Sequence, residues 1–483
     1  MAMNVLMIVI DQFRADLLTD SPLGRAAKLK NLRALRDECT VFDNHYTVVS
    51  PCGPSRVSLL TAQYAMNHRA VRNGTPLRHD TPNLARSART VRYVPRLFGY
   101  TDTTQDPRVL PADDPRLQSY EELMPGFDEA VRLRLETDDL AWREHVAAKG
   151  GTLPPYPETY RPVGDTPDSP APYAAEDSDT AFLTDRFLED MAGAPPGWFS
   201  LLTYLRPHFP LVAPEPYNRL YDPVEMPLPE QSNARDAFTE ASQDALPPHR
   251  MVVGFPDLPD TPETTAMLRA LYLGLAAEVD YHIGRVINWL KTSGQWDNTL
   301  LIVTADHGEM LGDFGQWGKH AYHDASYHVP LMIRDPERPN PNHINGFTES
   351  IDVAVTVLER IGADIPHAMN GRSLLPLMDD PKAPARPHAV SEFDFGNPIA
   401  PSKMMASLNV HSTEANYTVL RTPQHRLVQF GFDEPPVLFD MHASGERRNI
   451  AQDPDAAPIL QALTTRLLRH RMTNGDSTFA RTL

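Results

Sequence analysis

The strongest constraint on the fold is a set of apolar runs that are each followed by acidic or imidazole side chains. The runs are residues 5–10, 197–204 and 299–304. Asp11, His208 and Asp306 come shortly after them. Such runs are typical of strands buried on both faces of a parallel sheet, and open α/β sheets bind ligands at the carboxyl ends of these strands. We therefore predict an α/β fold with a mixed, mostly parallel central sheet flanked by helices.

The stretch PCGPSR at residues 51–56 has the character of a loop that runs directly into a helix. Pro54 suits the first turn of a helix, because its missing N–H would have no partner there. Cys52 is then expected just ahead of a helix N-terminus, where free amides favour negative charge, and Arg56 can add a positive charge. A lone cysteine is also often a small buried apolar residue. The residues alone leave both a nucleophile and a structural cysteine open.

The same stretch resembles the maturation signature of type I sulfatases, Cys-x-Pro-Ser-Arg, whose cysteine is oxidised to formylglycine. The longer run PCGPSRVSLLT, with MNHRAV at residues 66–71, is most similar to the phosphonate monoester hydrolase branch of that family, within the alkaline phosphatase superfamily. The resemblance covers nearly the whole chain and includes NGRSLLP at residues 370–376. It implies an alkaline-phosphatase-like fold and a formylglycine made from Cys52.

Acidic residues at separate strand ends indicate a metal site. One Asp after a strand commonly caps the next helix, but Asp11 together with the pair Asp306-His307 is harder to explain in that way. The resemblance implies one divalent metal held by Asp11, Asp306, His307 and the oxidised Cys52. Most type I sulfatases have one more carboxylate and one imidazole fewer, so we expect Mn²⁺ first and Ca²⁺ second, with Fe²⁺ or Zn²⁺ also compatible.

Further side chains match pocket positions of the family. Lys319 and His208 would contact the ester oxygens and protonate the leaving group, although a loop lysine is commonly only a solvated charge. Gln12, Asn73 and Tyr100 match substrate-binding positions. For Asn73 and Tyr100, a turn-forming and a core-edge role are the alternatives.

We also predict that Asp102 lies at the substrate. It departs from the threonine-rich run expected by resemblance to phosphonate monoester hydrolases. A carboxylate near an anion pocket repels a doubly charged substrate unless it meets a cation or points away. This departure bears directly on substrate preference.

The mechanism implied by the resemblance begins with a hydrated aldehyde at Cys52. The metal and Arg56 lower the pKa of this gem-diol, so that one hydroxyl attacks sulfur or phosphorus in line while His208 or Lys319 assists the leaving group. Deprotonation of the second hydroxyl then collapses the hemiacetal, which releases sulfate or phosphonate by cleavage of a C–O bond.

The order of the predicted elements divides the chain into a large and a small domain. Residues 1–385 are expected to form the catalytic domain, with loop-rich insertions at 105–179 and 210–260. We expect the first insertion to hold one helical patch and to cover the site. Short strands, a hairpin and a terminal helix predict a small α+β domain over residues 386–483.

Composition limits the partners and the compartment. The formal net charge of −18 argues against nucleic acid or an anionic membrane as the partner, and two cysteines imply no disulfide framework. No apolar run approaches the ~20 residues of a membrane span, and Asp11 comes too early for a signal peptide. We expect a cytoplasmic protein matured by a formylglycine-generating enzyme. The longer hydrolases of this family carry a C-terminal tail that reaches neighbouring subunits. Since this chain stops soon after its last helix, the resemblance implies a homodimer rather than a tetramer.

Several functions are compatible with these residues. We predict a sulfatase of the arylsulfatase type, with side activity on phosphonate monoesters and phosphodiesters. The alternative is a phosphonate monoester hydrolase or phosphodiesterase with sulfatase side activity. A non-catalytic binding member of the fold is weaker, because every catalytic residue type is present. An alkaline phosphatase that uses Ser55 is weaker still, because Ser55 lies inside the start of the helix.

Overall fold

The computed structural model describes residues 2–136, 138–232 and 236–475. Its strands are β1 (Asn4–Ile10), β2 (Thr40–Tyr46), β3 (Val49–Ser50), β4 (Pro95–Gly99), β5 (Asp128–Arg132), β6 (Phe199–Tyr204), β7 (Thr299–Ala305), β8 (Leu331–Arg334), β9 (Asn342–Glu349), β10 (Ala389–Asp394), β11 (Asn416–Arg421), β12 (His425–Phe430) and β13 (Val437–Asp440). Its helices are α1 (Pro22–Ala26), α2 (Lys30–Arg36), α3 (Cys52–Thr61), α4 (Ala65–His68), α5 (Leu84–Thr90), α6 (Leu140–Ala148), α7 (Asp179–Met191), α8 (Ala237–Ala245), α9 (Pro262–Thr292), α10 (Asp324–Tyr327), α11 (Ile351–Arg360), α12 (Leu375–Asp379), α13 (Lys403–Leu408) and α14 (Ala457–Asn474).

Eight strands form the central sheet, in the order β5-β4-β6-β1-β7-β8-β2-β9. Its neighbouring strands are parallel, except that β8 runs antiparallel to both β7 and β2. The predicted mixed, mostly parallel sheet is confirmed. Strand β1 lies in the middle between β6 and β7 and is buried along its whole length, as expected for an unbroken apolar run.

Helices cover both faces of this sheet. Alternate side chains of β1 enter separate cores, because successive residues of a strand point to opposite faces. Leu6 and Ile8 pack with α2, α7 and α9, whereas Val5 and Met7 pack with α3, α5 and α11. Among the helices in the described part of the chain, none is both long and apolar enough to span a bilayer.

A second sheet has the strand order β13-β12-β11-β10-β3. The predicted hairpin forms β11 and β12, and the strands from β10 to β13 pair antiparallel. Helix α14 packs on this sheet through Leu463 and Leu467. Strand β3, which comes directly before the Cys52 helix, pairs parallel with β10. The C-terminal sheet is therefore joined to the loop that carries the predicted nucleophile. The domain boundary at residue 385 stays a prediction.

The insertion at residues 105–179 differs from the expectation of a single helical patch. The predicted patch is α6, but Asp128–Arg132 also forms β5, which pairs parallel with β4 at the edge of the central sheet. The sequence DEAVR gave no signal for this strand, because an edge strand with exposed and half-buried residues lacks the apolar run of a central one.

Candidate active site

The predicted site residues come from loops at the carboxyl ends of β1 and β7 and from the start of α3. Asp11 directly follows β1, and Asp306 and His307 follow β7, which is parallel to β1. Helix α3 begins at Cys52 itself, one position earlier than the sequence predicts, with Pro51 as its N-cap. Parallel neighbouring strands bring their loops to one edge of the sheet, and α3 presents Cys52 there.

Asp11, Cys52, Asp306 and His307 form one buried cluster. Each offers one ligand atom, and these atoms lie within 4.8 Å of one another. The Sγ of Cys52 lies 3.3 Å from the Nε2 of His307. The same nitrogen lies 3.7 Å from the Oδ1 of Asp11 and 3.8 Å from the Oδ1 of Asp306. The fold thus brings together the four metal ligands predicted from the sequence, which are up to 296 positions apart in the chain.

The donor atoms of this cluster fit a divalent metal. Within the described residues, the buried Oδ1 of Asp11 has no hydrogen-bond partner. The Nδ1 of His307 lies 3.0 Å from the carbonyl oxygen of Gly308 and donates to it, which leaves the Nε2 lone pair facing the cluster. Burial lowers the pKa of His307 well below its usual range, with Lys319 adding to the effect. Two carboxylates and a neutral imidazole are ligands that Mn²⁺, Fe²⁺ or Zn²⁺ accept.

Arg56 orients the carboxylates of Asp11 and Asp306. Its side chain is only 2% exposed. Its Nη2 donates to Asp11 at 3.1 Å and its Nε donates to Asp306 at 3.0 Å. The guanidinium also lies 4.1 Å from the centre of the Tyr100 ring, and the Tyr100 hydroxyl donates to Asp11. Because the fixed positive charge lies between the two acids, it reduces their mutual repulsion and restricts their orientation.

Lys319 connects the cysteine to His208. Its Nζ lies 2.8 Å from the Sγ of Cys52, 2.8 Å from the Nε2 of His208 and 3.1 Å from the Oε1 of Gln12. Burial lowers the pKa of His208 to about 3, with Lys319 adding to the effect, so the ring is neutral. Burial also opposes the charge on Lys319, but the adjacent Cys52 sulfur and Asp11 outweigh it and raise the pKa of the amine.

Gln12 accepts a hydrogen bond from Lys319. Its predicted role in substrate binding stays a prediction. It adopts a positive φ of 61°, and its backbone N–H donates to the Oδ1 of Asp306 at 3.0 Å. Its side-chain amide donates to the carboxylate of Glu309. Glu309 also accepts two backbone N–H groups of the following loop. The sequence predicts no role for Glu309, although its place three residues after Asp306 is a signal for one.

A cavity of about 660 Å³ gives access to these groups. The predicted site residues that line it are Asp11, Cys52, Asn73, Tyr100, Asp102, His208 and Lys319. Apolar side chains, among them Phe209, Leu246 and Phe395, contribute much of the remaining wall. The Oδ1 of Asn73 accepts the N–H of Gly53 at 3.0 Å. A small molecule with apolar parts and a polar centre fits a cavity of this character.

Ser55, the alternative nucleophile, does not line this cavity. Its Oγ donates to the carbonyl oxygen of Asp306 at 2.5 Å and lies 2.9 Å from the hydroxyl of Thr47. The side chain therefore ties α3 to the loop after β7. This engagement argues against an alkaline phosphatase mechanism at Ser55.

The chain is similar to known proteins over most of its length. The family model described as "Sulfatase" matches residues 3–363. A second one, described as "N-sulphoglucosamine sulphohydrolase, C-terminal", matches residues 312–473. Together these matches extend over almost the whole described chain.

Individual relatives are similar over their full lengths. The multifunctional alkaline phosphatase superfamily protein PehA of Trinickia caryophylli is 37% identical over 98% of this chain and 96% of its own. The structure of phosphonate monoester hydrolase SpPMH from Silicibacter pomeroyi superposes with a TM-score of 0.95 at 48% identity, covering 99% of this chain and 96% of that one. The phosphonate monoester hydrolase of Agrobacterium radiobacter gives a TM-score of 0.87 at 35% identity, covering 99% and 97%. The chain therefore belongs to the sulfatase family of hydrolases within the alkaline phosphatase superfamily.

Proposed function

We propose that the protein hydrolyses phosphonate monoesters and phosphodiesters, with sulfate monoesters as a second substrate class. One observation carries the proposal. Cys52, Lys319 and His208 meet beside a set of metal-binding side chains at the foot of one cavity. The reaction adds water across the P–O or S–O bond of an ester and releases an alcohol or a phenol.

The nucleophile of this proposal derives from Cys52. A formylglycine-generating enzyme converts the –CH2–SH group to an aldehyde with an external oxidant, and the sulfur leaves as the C–S bond breaks. The hydrated aldehyde supplies the hydroxyl that attacks phosphorus or sulfur. Burial raises the pKa of the unmodified thiol well above its usual range, with Asp11 adding to the effect. An unmodified Cys52 is therefore a poor nucleophile at neutral pH, which favours the oxidised form.

We infer one divalent metal ion at Asp11, Asp306, His307 and the oxidised Cys52, with Mn²⁺ preferred and Ca²⁺ second. When bound, such an ion polarises the ester oxygens and lowers the pKa of the attacking hydroxyl. Arg56 pairs with the two carboxylates and orients them toward the ion position.

Lys319 and His208 act on the ester itself. Lys319 lies 2.8 Å from the Cys52 sulfur, so its ammonium group is within reach of an oxygen of an ester bound at Cys52. There it donates hydrogen bonds where negative charge develops during transfer. The Nε2 of His208 faces the same ammonium group, and the pair can deliver a proton to the leaving oxygen.

Sulfate monoesters remain the second candidate because the sulfatase family model covers residues 3–363. A sulfate monoester and a phosphonate monoester are both tetrahedral monoanions, so one cavity suits both. The sequence alone led us to place sulfates first. The phosphonate monoester hydrolases that superpose over nearly the whole chain favour the reverse order.

The test uses protein produced together with a formylglycine-generating enzyme. We expect kcat/KM for an aryl phenylphosphonate to exceed kcat/KM for the matching aryl sulfate. Peptide mass analysis around Cys52 and metal analysis establish that the same preparation carries the aldehyde and the ion. A higher kcat/KM for the sulfate would make the protein primarily a sulfatase. No turnover of either ester by protein carrying both groups would overturn the proposal.

A further inference from the structure

One part of the cavity wall is acidic and aromatic, although the cavity serves an anionic ester. The side chains that form it are Asp102, Tyr120, Glu121, Glu136 and Tyr156, and we call them the acidic wall. Asp102 comes from the loop after β4, and the others come from the 105–179 insertion. The groups that act on the anionic centre lie elsewhere in the cavity, at Lys319 and His208.

Asp102 is the member of the acidic wall nearest the nucleophile. Its backbone carbonyl oxygen lies 3.0 Å from the position of a Cβ on Gly53, the residue after Cys52. The side chain is 7% exposed and lines the cavity. Its carboxyl group makes no hydrogen bond or ion pair with any residue that the structure describes. A buried carboxyl group is normally paired or hydrogen-bonded, so this one is open to a partner in the cavity.

The groups around Asp102 favour a cation beside its carboxyl group. Burial is the main cause of the raised pKa of Asp102, which is about 8; Arg56 lowers this pKa, and Asp11 and Glu121 raise it. The carboxyl group therefore holds a proton at neutral pH unless a cation lies beside it. Arg56 is already engaged by Asp11 and Asp306. A positive group that enters the cavity beside Asp102 would therefore lower this pKa and pair with the carboxylate that forms.

The remaining members of the acidic wall reinforce this preference. Glu121 is buried, and its carboxyl group accepts the backbone N–H groups of Leu135 and Glu136 at 2.9 and 3.1 Å, which fixes this acidic side chain in the wall. The phenol of Tyr120 donates to the carboxylate of Glu136 at 3.2 Å. Phenol rings next to carboxylates bind ammonium groups through their faces.

We infer that the acidic wall binds a cationic substituent of the substrate, so that the preferred esters carry an ammonium group on one arm besides their anionic phosphorus or sulfur centre. The inference rests on the proposed function and adds the substrate class to it. An ester with a second negative charge would instead place that charge beside acidic side chains and would not pair with Asp102. A neutral arm of the same shape would fill the cavity but leave Asp102 without a partner.

The test compares two phosphodiesters that share a para-nitrophenyl leaving group. The other arm is trimethylammonioethyl in one diester and its neutral isostere, neohexyl, in the other. With the metal-loaded, matured enzyme, we expect kcat/KM to be about ten-fold higher for the cationic diester. In Asp102→Asn, this ratio should fall toward one.

Two further variants control the assignment. Asp394 also lines the cavity, but it accepts the N–H of Gly396 at 2.8 Å and lies near the positive charge of Arg72. Asp394→Asn should therefore keep the wild-type ratio. Glu136→Gln, at an exposed position, should lower the ratio by a smaller factor than Asp102→Asn.

The outcomes separate this inference from the proposed function. Turnover of the neohexyl diester reports on the function, and the ratio of the two diesters reports on the acidic wall. A wild-type ratio at or below one would overturn the inference, and this measurement needs no variant to fold. A wild-type ratio that persists in Asp102→Asn would overturn the assignment to Asp102.

Discussion

The Nζ of Lys319 lies 2.8 Å from the Nε2 of His208, and both side chains are buried. The Nδ1 of His208 donates to the carbonyl oxygen of Phe209, so its Nε2 accepts the proton that Lys319 donates. Lys319 is thus held as a charged donor beside Cys52. His208 is neutral in the resting site and can still take part in passing a proton. This pair is the proton source for the leaving oxygen in the proposed reaction.

Loss of this proton source should depend on the leaving group. We expect Lys319→Ala to lower kcat/KM by roughly 100- to 1000-fold for esters of alkyl alcohols and by less for nitrophenyl esters, because a nitrophenolate leaves without protonation. The measurement is the slope of log kcat/KM against the leaving-group pKa, which should steepen in Lys319→Ala and in His208→Gln. Arg250→Ala, at an exposed residue of the cavity wall, is the control and should keep the wild-type slope. An equal loss for all leaving groups would assign Lys319 to charge stabilisation alone.

Cys52 should be indispensable for turnover. We expect Cys52→Ala to lower kcat by at least roughly a thousand-fold, because it removes the nucleophile and one metal ligand together. The matched control is Cys39→Ala, since Cys39 is the other buried cysteine and burial raises its pKa to about 12. That variant should retain the wild-type kcat even where its thermal stability falls. Activity near the wild-type value in Cys52→Ala would remove the basis of the mechanism.

Removal of the metal should lower stability as well as activity. Without an ion, the carboxylates of Asp11 and Asp306 are balanced mainly by Arg56, and the stabilisation that ligand binding gives the folded state is lost. We expect treatment with a chelator to lower Tm by several degrees and Mn²⁺ to restore it. Asp306→Asn should bind less metal per chain in elemental analysis. Recovery with Ca²⁺ but not with Mn²⁺ would contradict the metal preference.

Gly53 should tolerate no side chain. A Cβ at this position would lie 2.9 Å from the Oδ1 of Asn73 and 3.0 Å from the carbonyl oxygen of Asp102. Because both atoms lie too close for a methyl group, we expect Gly53→Ala to displace Asn73 and to lower kcat/KM by roughly ten-fold. The free energy of unfolding should fall by about 1–3 kcal/mol. Gly193→Ala is the control, since a Cβ there meets nothing within 4 Å. Equal effects of the two substitutions would contradict the close contact.

The sequence is sufficient to predict the strands that have a strong hydrophobic pattern. Strands β1 and β7 could be predicted because unbroken apolar runs precede Asp11 and Asp306. The meeting of these acids follows from the shared edge of parallel strands. The edge strand β5 and the two-residue β3 could not be predicted, because neither needs an apolar run. The position of β5 is set by its pairing with β4, and that of β3 by its pairing with β10, which is far away in the chain.

The support of the site was also beyond the sequence. Gln12 joins Lys319 to Glu309 through hydrogen bonds between loops that are 297 positions or more apart. Contacts of this kind leave no periodic pattern, since each depends on how two loops meet in space. For the acidic wall, the sequence predicts that the 105–179 insertion covers the site and that Asp102 lies at the substrate, but nothing in the sequence distinguishes Glu121 as a residue of the cavity wall.

Glu278, in the middle of α9, should make stability depend on pH. It is 1% exposed, and burial raises its pKa to about 8, with Asp179 adding to the effect and Ser178 and Arg206 opposing it. Between the ordinary carboxyl pKa of about 4.3 and this raised value, the folded protein holds a proton that the unfolded chain has lost. The free energy of unfolding from this group therefore falls as pH rises through that range and changes little above it.

The substitution Glu278→Gln should remove this dependence, because a neutral amide has no charge to bury. In urea unfolding at about pH 6 and about pH 8.5, we expect the variant to lose less stability than the wild type, by roughly 1–2 kcal/mol. Glu263→Gln, at an exposed position in the first turn of the same helix, should keep the wild-type dependence. If Glu278→Gln and the wild type lose the same stability between the two pH values, Glu278 is ionised in the folded protein and its burial has been compensated by Arg206.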